Sequence, residues 1–506
     1  MNMRKQLVPL VVICTLPFVM SCEKFLDRKP LQATIEDIPG ALDGQAKGLY
    51  GAIRNSASEP FIGDGLQNIP WIAMNGFRSD DAEIIADPGA SAWRQTYDNF
   101  QYTKDDWGAG LYWDKHYVMI GQCNSVLNTA DANNFTDERS MVNRAEARFF
   151  RAYTYFDMVR TFGDVPIIDF IITKPTDNEV EKSPAAMVWS FIDEDLAFAE
   201  QYLPVTWEPK YAGRLTRGAA KALRAKALLY NQQWAQALGL LKEVINSESA
   251  AGYGLLNDYW RVFKEEGELS SESVFEIQAS KTSGDGNIYW SRLGQSQGVR
   301  GSGNWDLGWG WNTPTQELVD SYEAGDKRKD ATILYSNQSD GGVNTGGYGL
   351  TVPNLSNAKY WNKKVYNRFE RYLEAGLGTP NNEAQNTWIN HRVIRYADVL
   401  LMAAEAANEV GGGSNGTDAA GWVNRVRERA GLDPVTFTDQ ATMRDIIKQE
   451  RRAEFAMEYE RFYDLVRWGD AIEVLGPLGY QNKHRYFPIP TPALNGNPKL
   501  TQNPEW

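Results

Sequence analysis

Apolar residues recur at helical spacing along much of the chain, and the clearest stripe lies between residues 138 and 161. Successive apolar positions there are separated by four, three, four and three residues. This spacing places them on one narrow face of a helix that packs along a single neighbour. The stripe consists of Ala145, Phe149, Ala152, Phe156 and Val159. The segment predicts a long helix, which Gly163-Asp164-Val165-Pro166 ends.

Two further stretches, residues 217–246 and 395–430, each predict a pair of helices joined by a short turn. In the first pair an alanine-rich stripe leads to the turn Asn231-Gln232-Gln233, and a second stripe returns from it. In the second pair the turn is Gly411-Gly412-Gly413. Two helices joined in this way, with small residues on the facing sides, are typical of a tetratricopeptide unit. The pattern predicts a mainly α protein.

Loops, one strand and three more helices complete the predicted elements. Glycine and proline punctuate residues 60–105, which are predicted to be mostly loop. Residues 273–278 predict a short strand, and residues 280–390 have little periodicity and many aromatic residues. Ordered loops of that length are usually functional. The further helices are predicted at 35–56, 111–127 and 439–467, the last with Thr438 as its N-cap.

Residues 1–21 have the layout of a bacterial lipoprotein signal peptide. Two basic residues precede an apolar run that is too short to span a bilayer, which requires about 20 apolar residues. Ser21, a small residue, comes directly before Cys22. We therefore expect cleavage after Ser21, lipidation of Cys22, and a lipidated tether over residues 22–34. The alternative is an ordinary secretory signal in which Cys22 is incidental.

The charge and the reactive residues exclude several classes of function. The 506-residue chain has a formal net charge of −13, and an acidic surface repels the phosphates of nucleic acids and anionic lipids. Of the three cysteines, Cys14 leaves with the signal and Cys22 takes the lipid, so Cys123 is predicted to be a buried apolar residue. The three histidines are far apart, and no HExxH or paired-cysteine motif predicts a zinc site.

Aromatic residues are concentrated between residues 289 and 311, where glycines alternate with them. The glycines are expected to leave indole faces accessible. An indole face is flat and apolar, so it matches the C–H face of a sugar ring, while nearby amides and carboxylates can bind sugar hydroxyls. The alternative is that these tryptophans fill gaps under the loops. The candidate ligand-binding residues are Tyr289, Trp290, Asn304, Trp305, Asp306, Trp309 and Trp311.

Two smaller groups lie in the early loop. Trp93 and Tyr97 form a second, weaker aromatic candidate for ligand binding. The carboxylates of Asp80, Asp81 and Glu83 could bind a structural calcium ion, but their spacing is not that of an EF-hand. No cofactor other than the covalent lipid is expected, and the metal content stays open.

Glu450, Glu454 and Glu458 are four residues apart and therefore lie on one face of the predicted last helix. Like charges at that spacing repel each other, so cationic side chains must compensate them. One interpretation is a set of catalytic carboxylates. We favour a partly buried ion network, with the cations coming from Arg451 and Arg461 or from neighbouring helices, because such networks imitate active sites.

The sequence Gly412-Gly413-Ser414-Asn415-Gly416 matches the G-x-S-x-G motif of serine hydrolases. A nucleophile elbow requires a strand before the serine and a helix after it. Here a predicted helix precedes the motif, inside a helical pair. The segment is therefore predicted to be a turn.

Several segments along the chain form recognisable motifs. They are Ser21-Cys22, Phe25-Leu26-Asp27 with Pro30, 148–166, 272–278, 314–320, 326–328, 394–406, 450–469 and Phe487-Pro488-Ile489-Pro490. Together they resemble the SusD/RagB family of outer-membrane nutrient-binding lipoproteins, and the resemblance covers nearly the whole chain. One departure is Tyr459, where the family often has a small residue such as glycine.

The resemblance implies a fold and a division of the chain. The fold is a SusD-like α-superhelix of tetratricopeptide-like helix pairs, with long ligand-binding loops and a few short strands. Residues 35–260 would form an N-terminal SusD-like region. Residues 261–506 would form the C-terminal RagB/SusD region, with a loop-rich insertion at about 280–390 and the closing helices.

The resemblance also implies a non-catalytic role in polysaccharide utilization. The lipoprotein would face the cell surface from the outer membrane, bind an oligosaccharide or polysaccharide, and deliver it to a SusC-like TonB-dependent transporter for nutrient uptake. The ligand-binding residues of the family vary too much to be assigned in this chain from a motif. The aromatic candidates are therefore inferred only from the residue pattern of this sequence.

Two alternatives remain open from the sequence. The protein could capture peptides or proteins, as some members of the family do, with the helical pairs as a scaffold. It could also be an extracellular glycosidase, which requires two carboxyl groups about 5 to 9.5 Å apart across a cleft. No spacing in the chain points to such a pair. The identity of the glycan and its linkage are not encoded in any motif.

Overall fold

The computed structural model describes residues 42–54, 65–84, 92–279, 291–354, 358–367 and 389–506. The predicted signal peptide, the tether with Cys22, and the candidate residues Tyr289 and Trp290 lie outside these ranges. Among the described residues, no helix is both long enough and apolar enough to cross a membrane.

The chain begins with a series of helices that form most of the core. Asp137 caps the longest stripe-bearing helix by accepting from the Ser140 amide, and Gly163, with a φ of 75°, follows its last residue. The elements are α1 (Asp43–Ile53), α2 (Ile69–Gly76), β1 (Ala82–Glu83), α3 (Trp93–Asp98), α4 (Trp107–Ala132), α5 (Glu138–Phe162), α6 (Ala185–Tyr202), α7 (Arg217–Tyr230), α8 (Trp234–Asn246) and α9 (Glu248–Ala251).

The second half alternates short elements with a closing set of helices. The described residues of its first part, through β5, form mainly loops with short helices and strands. The elements are β2 (Ser273–Ile277), α10 (Leu293–Gln297), β3 (Thr313–Pro314), α11 (Gln316–Ser321), α12 (Lys327–Thr332), β4 (Ile333–Tyr335), β5 (Tyr360–Asn362), β6 (His391–Arg395), α13 (Tyr396–Val410), α14 (Asn415–Ala430), α15 (Gln440–Phe455), α16 (Arg461–Trp468), α17 (Ala471–Leu475) and α18 (Thr491–Gly496).

The two predicted helical pairs are confirmed as α7 with α8 and α13 with α14. Thr216 caps α7 by accepting from the Ala219 amide, and Gln232 makes the turn with a positive φ of 55°. Helix α8 also packs against α13, so the two pairs stack on each other. In the G-x-S-x-G segment, Gly412, Gly413 and Ser414 form the predicted turn between α13 and α14, while Asn415 and Gly416 begin α14.

The strands form three two-stranded antiparallel sheets, β1 with β3, β2 with β6, and β4 with β5. The pairing of β2 with β6 places Ser273 opposite Arg395 and Ile277 opposite His391. It therefore joins two parts of the chain that are far apart in sequence. The predicted strand at 273–278 is confirmed.

Residues 60–105 are predicted to be mostly loop, and more than half of the described residues there lie outside helices and strands, but α2, β1 and α3 interrupt the segment. Asn68 caps α2 by accepting a hydrogen bond from the Trp71 amide at 3.1 Å. Pro70 occupies the first turn, where proline is compatible with a helix because its missing amide hydrogen has no intrahelical acceptor. Proline therefore marks a helix start here, although it suggested a loop.

The predicted continuous helix at 439–467 is broken between α15 and α16. Met457 and Tyr459 have φ values of 66° and 70°, a left-handed conformation that favours glycine. The resembled family often has glycine at position 459, and glycine adopts this conformation without steric cost. Tyr459 adopts the same conformation in this chain. The start also differs by one residue, because Asp439, and not Thr438, caps α15 by accepting from the Thr442 amide.

The predicted ion network is confirmed, and its cations come from distant segments. Arg395 donates to Glu454 at 2.7 Å and to Glu458 at 2.8 Å. Arg328 donates to Glu450 at 2.6 Å. These three glutamates and their partners are largely buried, so the network holds α15 and the residues directly after it against β6 and α12. Cys123 is also buried, as predicted.

Candidate functional site

Four tryptophans from three separate segments meet in one contiguous group, which we call the indole group. Trp93 contacts Trp107 with ring centroids 5.3 Å apart and Trp311 with centroids 5.6 Å apart, both edge to face. Trp309 lies 4.7 Å from Trp311 by the same measure. The structure thus brings together the two aromatic groups that the sequence treats as separate.

Helices α3 and α4 position one side of the indole group. Asp106 caps α4 by accepting from the Ala109 amide at 3.0 Å, and it also accepts a hydrogen bond from the Tyr97 hydroxyl. Gly108 leaves room for Tyr97, because a Cβ atom at this position would overlap the hydroxyl oxygen. The cap therefore fixes Trp107, at the start of α4, relative to Trp93 on α3.

A folded-back loop over residues 291–311, which we call the tryptophan loop, positions the other side. Its backbone is held by hydrogen bonds from the Leu307 amide to Val299 O at 2.9 Å and from the Trp309 amide to Gln295 O at 2.8 Å. The Trp311 amide donates to Ser296 O at 2.9 Å. This internal ladder gives the loop a defined shape without a long strand.

Gly308 has a different role in this loop from the one predicted for its glycines. A Cβ atom on Gly308 would lie 2.6 Å from the Cα atom of Gly298 and 2.7 Å from Gln295 O. Two backbone segments therefore cross at Gly308, and no side chain fits between them. The glycine allows this crossing, and the exposure of the neighbouring indoles follows from the loop geometry.

The candidates differ in how far they reach the surface. Trp107 is 39% exposed, and Trp93 and Trp309 are partly exposed. Trp311 is only 7% exposed and Tyr97 is fully buried. The prediction that Tyr97 and Trp311 contact a ligand therefore needs correction, since they lie behind the partly exposed rings and support them.

Trp305 stands apart from the indole group although it lies on the same loop. Its ring is stacked parallel to Tyr366 with centroids 5.9 Å apart, and Tyr366 in turn contacts Tyr348 edge to face. Asn304 is exposed and Asp306 is partly exposed beside it. The tryptophan loop therefore presents two aromatic positions, one at the indole group and one at Trp305.

Trp107 is absent from the candidates that sequence reasoning selected. It lies outside both predicted aromatic groups, and the helix was predicted to start four residues later, at 111. The sequence did contain a signal, because Asp106 is a favoured N-cap residue directly before it. A helix start at that aspartate places Trp107 on the exposed first turn.

In the part of the chain that the structure describes, arginine side chains form salt bridges with the acidic candidates Asp80 and Asp81. Asp80 lies 2.8 Å from Arg461 and 2.7 Å from Arg452, and Asp81 lies 2.8 Å from Arg452. Within the described ranges, no group of three or more His, Cys, Asp or Glu side chains is arranged to hold a metal ion. The arginines supply the cations for Asp80 and Asp81, and calcium is not needed for that purpose.

Asp98, at the end of α3, gives a testable pH dependence. Its burial, aided by the charge of Glu83, raises the pKa of Asp98 to about 6. The folded state therefore holds this proton more tightly than the unfolded chain, and wild-type stability falls as pH rises from about 4 to 6. We expect Asp98→Asn to raise the free energy of unfolding at pH 7 by about 2 to 3 kcal/mol, and by little at pH 4.

Urea unfolding at both pH values measures this effect. Asp169→Asn, at an exposed position, is the control and should change stability by less than about 0.5 kcal/mol. Equal stabilisation by Asp98→Asn at pH 4 and pH 7 would show that ionisation is not the cause.

Comparison with known proteins gives two family matches and several similar chains. Residues 271–484 match the model described as the SusD family, and residues 67–229 match one described as starch-binding associating with outer membrane. A SusD-like protein of Formosa agariphila is 30% identical over 458 residues, covering 84% of this chain and 85% of the relative. The starch-binding protein SusD of Bacteroides thetaiotaomicron is 25% identical over 500 residues, covering 83% and 84%.

A solved structure shows the same architecture. A laminarin-binding SusD-like protein superimposes with a TM-score of 0.75 at 27% identity, covering 92% of this chain and 99% of that one. The mainly α fold and the family resemblance seen in the sequence are thereby confirmed. The sequence matches span most of the chain, and the protein belongs to the SusD family.

Proposed function

We propose that this protein is a non-catalytic, cell-surface lipoprotein that binds glycans and delivers them to a SusC-like TonB-dependent transporter in the outer membrane. The similar proteins are named for binding laminarin or starch, and none of those named here is called an enzyme. These names support a glycan as the ligand class. They also make laminarin and starch the first polysaccharides to test.

The indole group is the observation that carries the proposal. Trp107, Trp93 and Trp309 present partly exposed aromatic surface on three separate segments, and buried Trp311 supports them. Indole rings add apolar contact area with few rotatable bonds, so a sugar ring can pack on them at a small entropic cost.

Affinity electrophoresis in gels that contain laminarin or starch tests the proposal. Trp107→Ala and Trp309→Ala should each weaken binding about tenfold, because each removes an aromatic contact worth about 1 to 1.5 kcal/mol. Trp422→Ala, which removes a partly buried indole on α14, is the matched control and should bind like the wild type.

Trp305→Ala is tested in the same gels, because Trp305 lies apart from the indole group. A loss of affinity would place both aromatic positions of the tryptophan loop on the path of one glycan. Unchanged migration of the Trp107, Trp305 and Trp309 variants would remove these residues from the binding site.

Release of reducing ends from either polysaccharide would contradict the non-catalytic role and favour the glycosidase alternative.

The proposed lipid anchor is tested at Cys22. Cys22→Ala removes the thiol that lipidation requires, so most of the protein should leave the membrane fraction. Cys14→Ala, within the predicted signal peptide, is the control and should leave the protein in that fraction. Retention of the Cys22→Ala protein in the membrane fraction would contradict lipid anchoring.

The proposed transporter is tested by purification from the native outer membrane. The protein should co-purify with a TonB-dependent barrel protein after mild detergent extraction. Recovery of the intact protein without any barrel protein would argue against delivery to a transporter.

A further inference from the structure

A cavity of about 300 Å³ lies under the connection between α6 and α7, and it shares no lining residue with the indole group. Its size is at the lower end of the range for small-molecule sites. Its lining comes mainly from the segment of residues 205–216, which we call the strap, and from residues 269–276. Neither the proposed function nor the ion network accounts for this cavity.

The strap is held firmly over the cavity by its own side chains. Arg214 donates to Glu146 at 2.7 Å and to Asp43 at 2.8 Å, so it ties the strap to α5 and α1. The Leu215 amide donates to the Tyr50 hydroxyl at 2.9 Å. Trp207 donates from Nε1 to Leu215 O at 2.8 Å, which fixes the indole at the cavity wall. The cavity is therefore a preformed space.

The lining is rich in hydroxyl groups that the fold does not use. In the described part of the chain, no side-chain hydrogen bond engages the hydroxyls of Thr206, Ser270, Ser271 and Ser273, which all line the cavity. Four hydroxyls beside a fixed indole are suited to a ligand that carries both hydroxyl groups and an apolar face.

The two charged residues on the lining are already neutralised. Arg214 is paired with Glu146 and Asp43. Glu276 is buried, accepts from Asn390 at 3.0 Å and from the Leu269 amide at 3.2 Å, and lies 3.9 Å from Arg392. An ionised ligand would lose its hydration on entering the cavity, and both charged side chains of the lining are already paired. The lining therefore favours a neutral molecule.

The rim adds an apolar and strained element. Leu269 is 39% exposed and has a φ of 52°, which costs a non-glycine residue on the order of 1 to 3 kcal/mol. Val205, on the strap, is 37% exposed. Both residues line the cavity, and the bond from the Leu269 amide to Glu276 holds the strained backbone in place. Strained residues that the surroundings hold in place cluster at ligand sites.

We propose that the cavity under the strap is a second carbohydrate site, which takes one neutral sugar residue. The choice of a sugar among neutral polyhydroxy molecules rests on the proposed function. The sugar hydroxyls would bind the serine and threonine hydroxyls, and an apolar sugar face would lie against the exposed Leu269 side chain at the rim. The site would bind a chain end or a short saccharide independently of the indole group.

Ligand-observed NMR titration of the intact, detergent-solubilised protein tests this site. The probes are glucose, maltose and laminaribiose, with glucuronate as the charged counterpart. The background is the Trp107→Ala/Trp309→Ala protein, so that the indole group does not contribute. At least one neutral probe should bind this protein, and glucuronate should bind at least tenfold more weakly.

Adding Ser271→Trp should fill the cavity and weaken binding of that probe at least tenfold. Ser190→Trp, on the exposed face of α6, is the control and should leave it unchanged. If Ser271→Trp fails to fold by circular dichroism, Thr206→Val with Ser270→Ala removes two lining hydroxyls at little change in volume. That pair should weaken binding at least threefold.

Three results would overturn the proposal: no neutral probe binds, glucuronate binds as well as the neutral probes, or the cavity variants leave affinity unchanged. If a cavity variant instead releases a co-purifying protein while sugar affinity stays the same, the cavity is a protein contact and the proposal is wrong. Polysaccharide binding by the wild type is measured separately, so its failure is distinguishable from failure of this site.

Discussion

Replacing Glu454 with glutamine is expected to lower the free energy of unfolding by about 3 to 5 kcal/mol, since it removes one charge from a buried ion network. Glu454 is fully buried and accepts from Arg429 at 2.6 Å, Arg395 at 2.7 Å and Arg328 at 3.3 Å. The amide would turn N–H groups toward at least one of these guanidinium groups, and the arginines would keep only their other carboxylate partners, which include Glu450, Glu458 and Glu272. Guanidinium chloride unfolding at pH 7 measures the change.

The effect should depend on pH in a defined direction. Burial opposes ionisation of Glu454, but the charges of Arg429, Arg395 and Arg328 outweigh it and hold the pKa of this carboxyl well below its usual range. The stabilisation is therefore fully present above the unfolded pKa of about 4.3 and is lost as pH falls toward the lowered folded value. The difference between the two proteins should shrink on acidification below about pH 4.

Glu473→Gln is the matched control, because Glu473 is exposed on α17. It should change the free energy of unfolding by less than about 0.5 kcal/mol. Equal unfolding midpoints for Glu454→Gln and Glu473→Gln at pH 7 would show that the network does not stabilise the fold.

Replacing Gly308 with alanine is expected to weaken glycan binding about a hundredfold, or about 2.7 kcal/mol, more than any single tryptophan variant. The new methyl group would press on the backbone of Gly298 and Gln295, which cannot rotate away as a side chain can. The tryptophan loop would have to open, which would displace Trp305 and Trp309 together. Gel migration in laminarin or starch measures the affinity.

Gly342→Ala is the control for the loop substitution. Gly342 also lies in a loop of the second half, but a Cβ atom there meets nothing within 4 Å. It should bind like the wild type and unfold at the same denaturant concentration. Normal binding by Gly308→Ala would show either that the loop adapts or that it does not carry the ligand.

Local patterns in the sequence predicted most of the helical scaffold. Apolar stripes predicted both helical pairs and α5, because the apolar residues of a helix that buries one face must recur at the helical period. The break after Phe455 could not be predicted in this way, since the helical pattern continues through it. It depends on the left-handed backbone at Tyr459, whose ring packs against distant Gly76.

The candidate site could be predicted only in parts. The concentration of tryptophan and glycine pointed to the tryptophan loop, but the meeting of Trp93 with Trp311 depends on the pairing of β1 with β3. Short strands of this kind leave almost no periodic signal. For the same reason, sequence spacing did not separate Trp305 from its neighbours or show that Tyr97 is buried.

The pairing of β2 with β6 has a consequence for how the chain acquires its structure. Ser273 and Arg395 are opposite each other, and Arg395 also binds Glu272 and Glu454. A nascent chain cannot make these contacts until residue 395 and then residue 454 have been synthesised. Contacts between such distant residues slow folding, since a long loop must close before they form. We therefore expect the central contacts of this protein to form late, after most of the helices are in place.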